Sequence, residues 1–180
     1  IQKLADNAAG LAIMTDNFKR VTTISQGAEI MYLINRANVR KGELTKEQVK
    51  MFEDFVKEYS NKDRATLGNV YAKGYASPDG PVKFNDKLSQ ARSESGKKVV
   101  AKLLKDAGLD IDAAAYGEDW DGFKELVEKS NIKDKNLILQ VLSLYNSPAE
   151  RETEIKNMST VFEELKKEVL PELRLSLIHI

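Results

Sequence analysis

The chain has no cysteine and a single histidine, His179, the second residue from the end. Disulfides and thiolate chemistry are therefore excluded, and so are histidine-based metal clusters and acid–base dyads. No stretch approaches the ~18 consecutive apolar residues that a membrane-crossing helix needs. Nor is there a surplus of either charge: 28 Lys and Arg balance 28 Asp and Glu, for a formal net charge of zero. A general nucleic-acid binder needs a basic excess to neutralise phosphates, so that class is excluded apart from a local patch. The chain begins at Ile1 and shows no signal-peptide pattern. It is expected to be an internal fragment, with its targeting information elsewhere.

What is present suits one domain, or one domain with an appendage. The 180 residues are 42% apolar, enough to build a core, and there are no repeats or low-complexity tracts. Residues 1–27 mix apolar and polar positions and read as a short helix or an irregular lead-in. The continuous apolar run inside "AEIMYLINRANV", Ala28 to Val39, predicts a strand buried on both faces. Thr45 and Gln48 have the spacing of a capping box, and Val49, Phe52, Val56 and Tyr59 follow as one helical face.

"ATLGNVYAKGYAS" predicts a second strand. Its alternation puts Gly68, Val70, Ala72, Gly74 and Ala76 on a small-residue face that lets a helix lie close to the backbone. The turn Pro78-Asp79-Gly80-Pro81 follows. A long helix then runs to about Ala107, with Phe84, Leu88, Ala91, Ser95, Val99 and Leu103 as its expected buried stripe and Gly108 as a stop signal. "LDIDAAAYGEDW" predicts a third strand or an extended segment. From Asp121 three helices are expected, the third opened by Pro148 and ended by Pro171. The tail "RLSLIHI" alternates like an edge strand and also resembles translated sequencing-adapter DNA, so His179 is given no function. Strands linked by helices indicate an α/β, two-layer arrangement, with a mixed or parallel sheet and helices on one face.

Chemistry concentrates where the second strand meets the long helix. Asn85, Ser89, Arg92 and Gly96 recur at +4, +3 and +4, and so share one helical face. Main-chain N–H groups at a helix start favour an anion. A guanidinium two turns further in can grip a carboxylate through two parallel hydrogen bonds. Asp79 can accept an ammonium. Together these suit a zwitterionic, amino-acid-like ligand. A plainer arrangement stays open, in which Asn85 caps locally and Arg92 pairs with Glu94, Asp86 or a backbone carbonyl.

The stretch "GYASPDGPVKFNDKLSQARSESGKKVVAKLL" resembles the signature of OmpA-like, peptidoglycan-associated domains. In that pattern a strand and a glycine-containing turn precede N-x-x-L-S-x-x-R. Gly74, Gly80, Asn85, Leu88, Ser89, Ala91 and Arg92 match it in register, and "AAAYGEDW" resembles a later strand carrying G-Y-G-E. The match covers about Ile30 to Trp120. The Y-A-S-P-D-G variant and the helical segment that follows are similar to the Bacteroidetes-type branch. The resemblance implies an OmpA-like core over residues 28–120. It also implies a helical insertion over 121–170, and a last strand or non-native tail over 171–180. It further implies a non-enzymatic module, associated with the periplasm and outer membrane, that holds the diaminopimelate-bearing stem peptide of peptidoglycan. In the family the helix arginine, here Arg92, takes the ligand's carboxylate. An aspartate before the turn takes its ammonium, but Ser77 stands in that place and Asp79 lies two residues on. The implied ligand set is Arg92, Asn85, Ser77, Asp79 and Gly80, with no metal and no cofactor. A protein-interaction scaffold using the 121–168 helices is the alternative.

Other candidates carry less. "GEDWDG" lacks the alternating oxygen ligands of a calcium loop and reads as an acidic helix start. Asp110 and Asp112 have no convergent partner. Ser77 has no histidine to activate it as a nucleophile. Trp120 beside Phe123 reads as packing.

Overall fold

The computed structural model describes residues 20–180. The expected lead-in therefore lies mostly outside the described residues. Four strands, β1 (Gly27–Met31), β2 (Val70–Ala76), β3 (Ile111–Glu118) and β4 (Leu175–His179), form one sheet in the order β1-β4-β2-β3. β2 and β3 are parallel, while β4 runs antiparallel to both β1 and β2. Helix α1 (Glu47–Ser60) packs on β1, and α2 (Val82–Leu103) on β2 and β3. This is the α+β two-layer class with a mixed sheet that the sequence predicts.

β1 is shorter and more exposed than its apolar run implies. It stops at Met31 and lies at the sheet edge, with Ala28 and Ile30 buried and Glu29 exposed. Leu33 and Ile34 leave the sheet in a loop whose Asn35 adopts a left-handed conformation, φ 52°. Asparagine is one of the few residues that tolerates this region. The capping box does not form: Thr45 Oγ1 donates to the Gly42 carbonyl and Gln48 Nε2 to the Glu29 carbonyl. Val49, Phe52 and Val56 are nevertheless the buried face of α1.

The β2–α2 contact positions everything that follows. Val70, Ala72, Gly74 and Ala76 form the inner face of β2, and all but Gly74 are fully buried apolar residues. At Gly74 an added Cβ would sit 2.1 Å from the Ser89 carbonyl oxygen and 2.5 Å from the Ser93 amide nitrogen. Backbone therefore meets backbone. Only a small or polar helix face can come that near, so α2 buries Asn85, Ser89, Arg92, Ser93, Gly96 and Val100. The stripe expected from the apolar residues is turned out at its N-terminal end, where Phe84 is 45% exposed, while Val99 and Leu103 of the same stripe still pack against the core. The helix ends at Leu103, earlier than expected, with Leu104 as its cap, and Gly108, at φ +62°, follows only after a further turn.

The C-terminal strand is interior, not at the edge. Ile178 pairs with both Ala28 and Ala72, and Ser176 with both Ile30 and Gly74. Alternation describes its two faces correctly. It cannot say how many neighbours a strand has, which is set by the order of the sheet.

Between β3 and β4 the chain forms α3 (Trp120–Lys129), α4 (Lys135–Leu144), α5 (Pro148–Asn157), α6 (Ser159–Glu168) and a short 3-10 turn at Leu170–Leu173. The third expected helix is thus two helices, broken at Met158, whose ψ of 69° is not helical. This block has a core of its own that includes Phe123, Val127, Ile138, Leu165 and Leu170. The sheet and the helices α1 and α2 enclose another, around Ile30, Phe52, Val56, Val70 and Val100.

Gly74→Ala is expected to lower stability by about 3 kcal/mol, because a methyl group there collides with main-chain atoms. Gly68→Ala, where nothing lies within 4 Å of the new carbon, should stay within about 0.5 kcal/mol. Urea unfolding of the two variants tests the difference.

Candidate functional site

β2 ends at Ala76, and five residues, Ser77 to Pro81, lead into α2. Ser77 Oγ donates to Asp79 Oδ1 at 2.6 Å, and the Asp79 amide donates to the Ser77 carbonyl at 2.9 Å. These two bonds fix where the Asp79 carboxylate stands. Pro81 occupies the cap position of α2. The helix start has no side-chain cap and no acidic residue in its first turn. Its first N–H groups and the positive end of its dipole are therefore uncompensated by side chains.

Asn85 holds the turn from below. Its Nδ2 reaches the carbonyls of Ser77 and Gly80, each at 3.1 Å, and Glu118 Oε1 at 2.8 Å. Ser89 Oγ accepts from the Gly117 amide at 3.0 Å and ties the end of β3 to the same helix.

Arg92 is completely enclosed, at 0% exposure. Nη1 donates to the Tyr75 carbonyl at 2.7 Å, Nε to that of Arg36 at 3.0 Å, and Nη2 to that of Leu33 at 3.3 Å. Its guanidinium also lies 5.2 Å from the centre of the Tyr32 ring. Burial pulls its pKa down to about 10, with Arg174 adding to the effect and Tyr32 and Asp79 opposing it. It remains a cation at neutral pH. Of the pairings open from the sequence, the backbone carbonyls are the ones it makes.

A hollow of about 390 Å³ opens over this turn. Asp79, Gly80, Pro81, Phe84 and Asn85, from the turn and the first turn of α2, line it together with Ile34 and Asn35 of the loop after β1. Three predicted residues, Asp79, Gly80 and Asn85, thus come together at its wall. Ser77 lies buried beneath Asp79. Arg92 stands behind the wall and does not line it.

Arg174 was not foreseen. Its Nη2 lies 3.4 Å from Asp79 Oδ2 and its Nε 3.4 Å from Ser77 Oγ. Its 95-residue separation from Asp79 leaves no local pattern to find. Ile34 and Phe84 were read as interior apolar residues, and exposure cannot be told from residue type alone.

Glu118 joins the site to the helical block. Besides Asn85 it accepts from Trp120 Nε1 at 3.0 Å. Trp120 packs edge-on against Phe123, and the Arg151 guanidinium lies 5.6 Å from its ring. Arg151 in turn donates to the carbonyls of Tyr145 and Leu142, at 2.6 and 3.1 Å, at the end of α4. Burial pushes the Glu118 carboxyl up, against the two hydrogen bonds from Asn85 and Trp120 that favour its charged form. Glu152 and Asp86 add to the rise. Asp119 caps α3 by accepting from the Gly122 amide at 2.9 Å. "GEDWDG" is therefore the helix start its spacing implied.

No protein-family model matches the chain, and no curated protein matches it. Among solved structures it is similar to the OmpA-like domain of FopA1 from Francisella tularensis subsp. tularensis SCHU S4. The identity is 15%, over 87% of this chain and 71% of that one, with a TM-score of 0.42.

Two outcomes follow from the site's internal bonds. Arg92→Lys replaces a fan of donors with one ammonium and strands buried carbonyls, so stability should fall by about 2–3 kcal/mol in urea unfolding. The Glu118 carboxyl, followed by carbon-detected NMR, should titrate above the ordinary glutamate value. Because its folded value is raised, the stability it contributes is present below the unfolded value and lost as pH rises through the folded one. Asn85→Ala removes a donor to the charged form and should move that midpoint further up.

Proposed function

We propose that the chain is a non-enzymatic module of the cell envelope that binds the stem peptide of peptidoglycan. One observation carries this reading. Asp79 and the first turn of α2, which has no side-chain cap, line the same hollow of about 390 Å³. An amino-acid-like zwitterion needs such a pair, with its ammonium on the carboxylate and its own carboxylate against main-chain N–H groups. Arg92 behind the wall adds positive field at the anion's end, while Arg174, 3.4 Å from Asp79 Oδ2, is the cation that the ligand's ammonium would displace. Ile34 and Phe84 offer apolar surface for an aliphatic stem such as that of diaminopimelate.

The resemblance to peptidoglycan-associated domains supports the ligand class, with two roles redistributed. Asp79, set in place by Ser77, does what an aspartate at position 77 would do. Arg92 acts through its charge and by holding the loop, and contact with the ligand's carboxylate passes to the helix start. The associated location is the periplasm, against the outer membrane. A scaffold docking through residues 121–168 has one observation in its favour: Leu137 and Leu144, seven residues apart on α4, are 48% and 66% exposed.

A titration with a stem tripeptide ending in diaminopimelate should shift the amides of Asp79 to Asn85 and of Ile34. Asp79→Asn should weaken binding by about ten- to a hundredfold, the loss of one charge-assisted hydrogen bond. Absence of these shifts at millimolar peptide, or an Asp79→Asn variant that binds like the parent, would overturn the assignment.

A further inference from the structure

The sheet has two edges, β1 and β3, and the chain treats them differently. On β1, side chains take up outward main-chain groups. The Met31 amide donates to Glu43 Oε2 at 3.1 Å, and the Glu29 carbonyl accepts from Gln48 Nε2 at 3.4 Å. Among the described residues β3 has no such cover. The Val70 amide donates to the Asp110 carbonyl. Alternation therefore turns the main chain of Asp112 and Ala114 toward β2, and that of Ile111, Ala113 and Ala115 outward. Further on, the Gly117 amide is taken by Ser89 Oγ. The free stretch is thus centred on Ala113.

Natural sheets blunt such an edge with a lysine, a proline or a bulge. Residues 111–115 contain no Lys and no Pro, and the register shift against β2 comes only after Ala115. On the α2 side the stretch presents Ile111, Ala113 and Ala115, all apolar. On the opposite face Asp112 is exposed and Ala114 is small. Lys73 is the partner of Ala114 on β2, and its Nζ lies 5.9 Å from the centre of the Tyr116 ring. The lysine therefore reaches toward this edge.

We propose that β3 pairs with β3 of a second copy of this chain, antiparallel about a two-fold axis at Ala113. The two sheets then become one. Ile111 of each copy faces Ala115 of the other, and the two Ala113 residues face each other. This register uses the three free residues and no others. A register centred on Ala114 would call on the Gly117 amide, which is already bonded. Charge selects the same register. Asp112 of one copy stands opposite Ala114 of the other, with Lys73 next in that row. Strands lie about 4.8 Å apart, so the ammonium spans the small alanine to reach the carboxylate. The two-fold makes this ion pair twice, with no like charges directly opposite.

The flank of α2 agrees. Gln90 lines the hollow between α2 and the end of β3, and Glu94 and Lys97 share its side of the helix. Gly117 meets Ser89, and Gly74, the partner of Ala115, meets Ser89 and Ser93. Ala113 is then level with a point about one turn further along, between Glu94 and Lys97. Two α2 helices related by the axis run antiparallel and set Glu94 of one toward Lys97 of the other. No residue of the hollow at Asp79 takes part, so the pairing is independent of the ligand assigned there.

Sedimentation velocity of the whole chain, from micromolar to millimolar concentration, should show a monomer–dimer equilibrium. Amide exchange at Ile111, Ala113 and Ala115 should slow as the chain is concentrated. Ala113→Pro removes an outward donor without touching a bond to β2. It should weaken dimerisation by about tenfold or more, since symmetry removes two hydrogen bonds. Lys73→Glu and Asp112→Lys should each weaken self-association by about three- to tenfold. Mixing these two variants should restore it, because one ion pair is kept and the other is rebuilt with its charges exchanged. Thermal unfolding checks the fold of each variant. A chain that stays monomeric at millimolar concentration overturns the proposal, even if an added extended peptide slows those amides, because the edge then serves a foreign strand. A dimer that Ala113→Pro leaves intact, or that mixing fails to restore, overturns it as well.

Discussion

The interaction on which the structure depends is the buried guanidinium of Arg92. It gathers three carbonyls from two separate segments, Leu33 and Arg36 in the loop after β1 and Tyr75 near the end of β2. A buried charge is tolerated only when its donors are satisfied, and each of these carbonyls would be costly to leave unpaired. The cation and the carbonyls therefore require one another. That mutual requirement brings the loop bearing Ile34 and Asn35 over the turn bearing Asp79, and the hollow is the space left between them.

Close backbone contact at Gly74 makes this possible. Because α2 comes so near to β2, its inward face has no room for large apolar groups except toward its C-terminal end, at Val100. Small hydroxyls, an amide, a glycine and the Arg92 guanidinium fill the rest. A helix interface of this kind is held by directional bonds, such as Asn85 to the turn carbonyls and Ser89 to Gly117, more than by bulk apolar area. Such contacts rigidify a site when every partner is satisfied. The loop and turn that line the site are thus anchored to a helix and a strand end.

Much of this was legible in the sequence, and what was not has identifiable causes. Asn85, Ser89, Arg92 and Gly96 were recognised as one helical face, and the small face of β2 as a place for close approach. The error was to bury Phe84 and Leu88 instead. An apolar stripe is a reliable guide where a helix packs against large residues, but opposite Gly74 steric fit outweighs hydrophobicity. The break at Met158 and the short β1 escaped notice because an apolar period continues across both. Arg174 and the interior place of β4 depend on which distant strands pair, and no local pattern encodes that.

The position of β4 has a bearing on how the molecule assembles. β1 and β2 are not bonded to each other; the strand between them is the last element of the described chain, and Gly27 pairs with His179. During synthesis the sheet therefore stays split until residues 175–179 arrive, after the whole helical block has emerged. The N-terminal strand must wait, with its inward edge unsatisfied, for a partner about 150 residues away. Closing so long a loop late favours slow, high-contact-order folding and gives a nascent chain a long interval in which a chaperone has an open strand edge to shield.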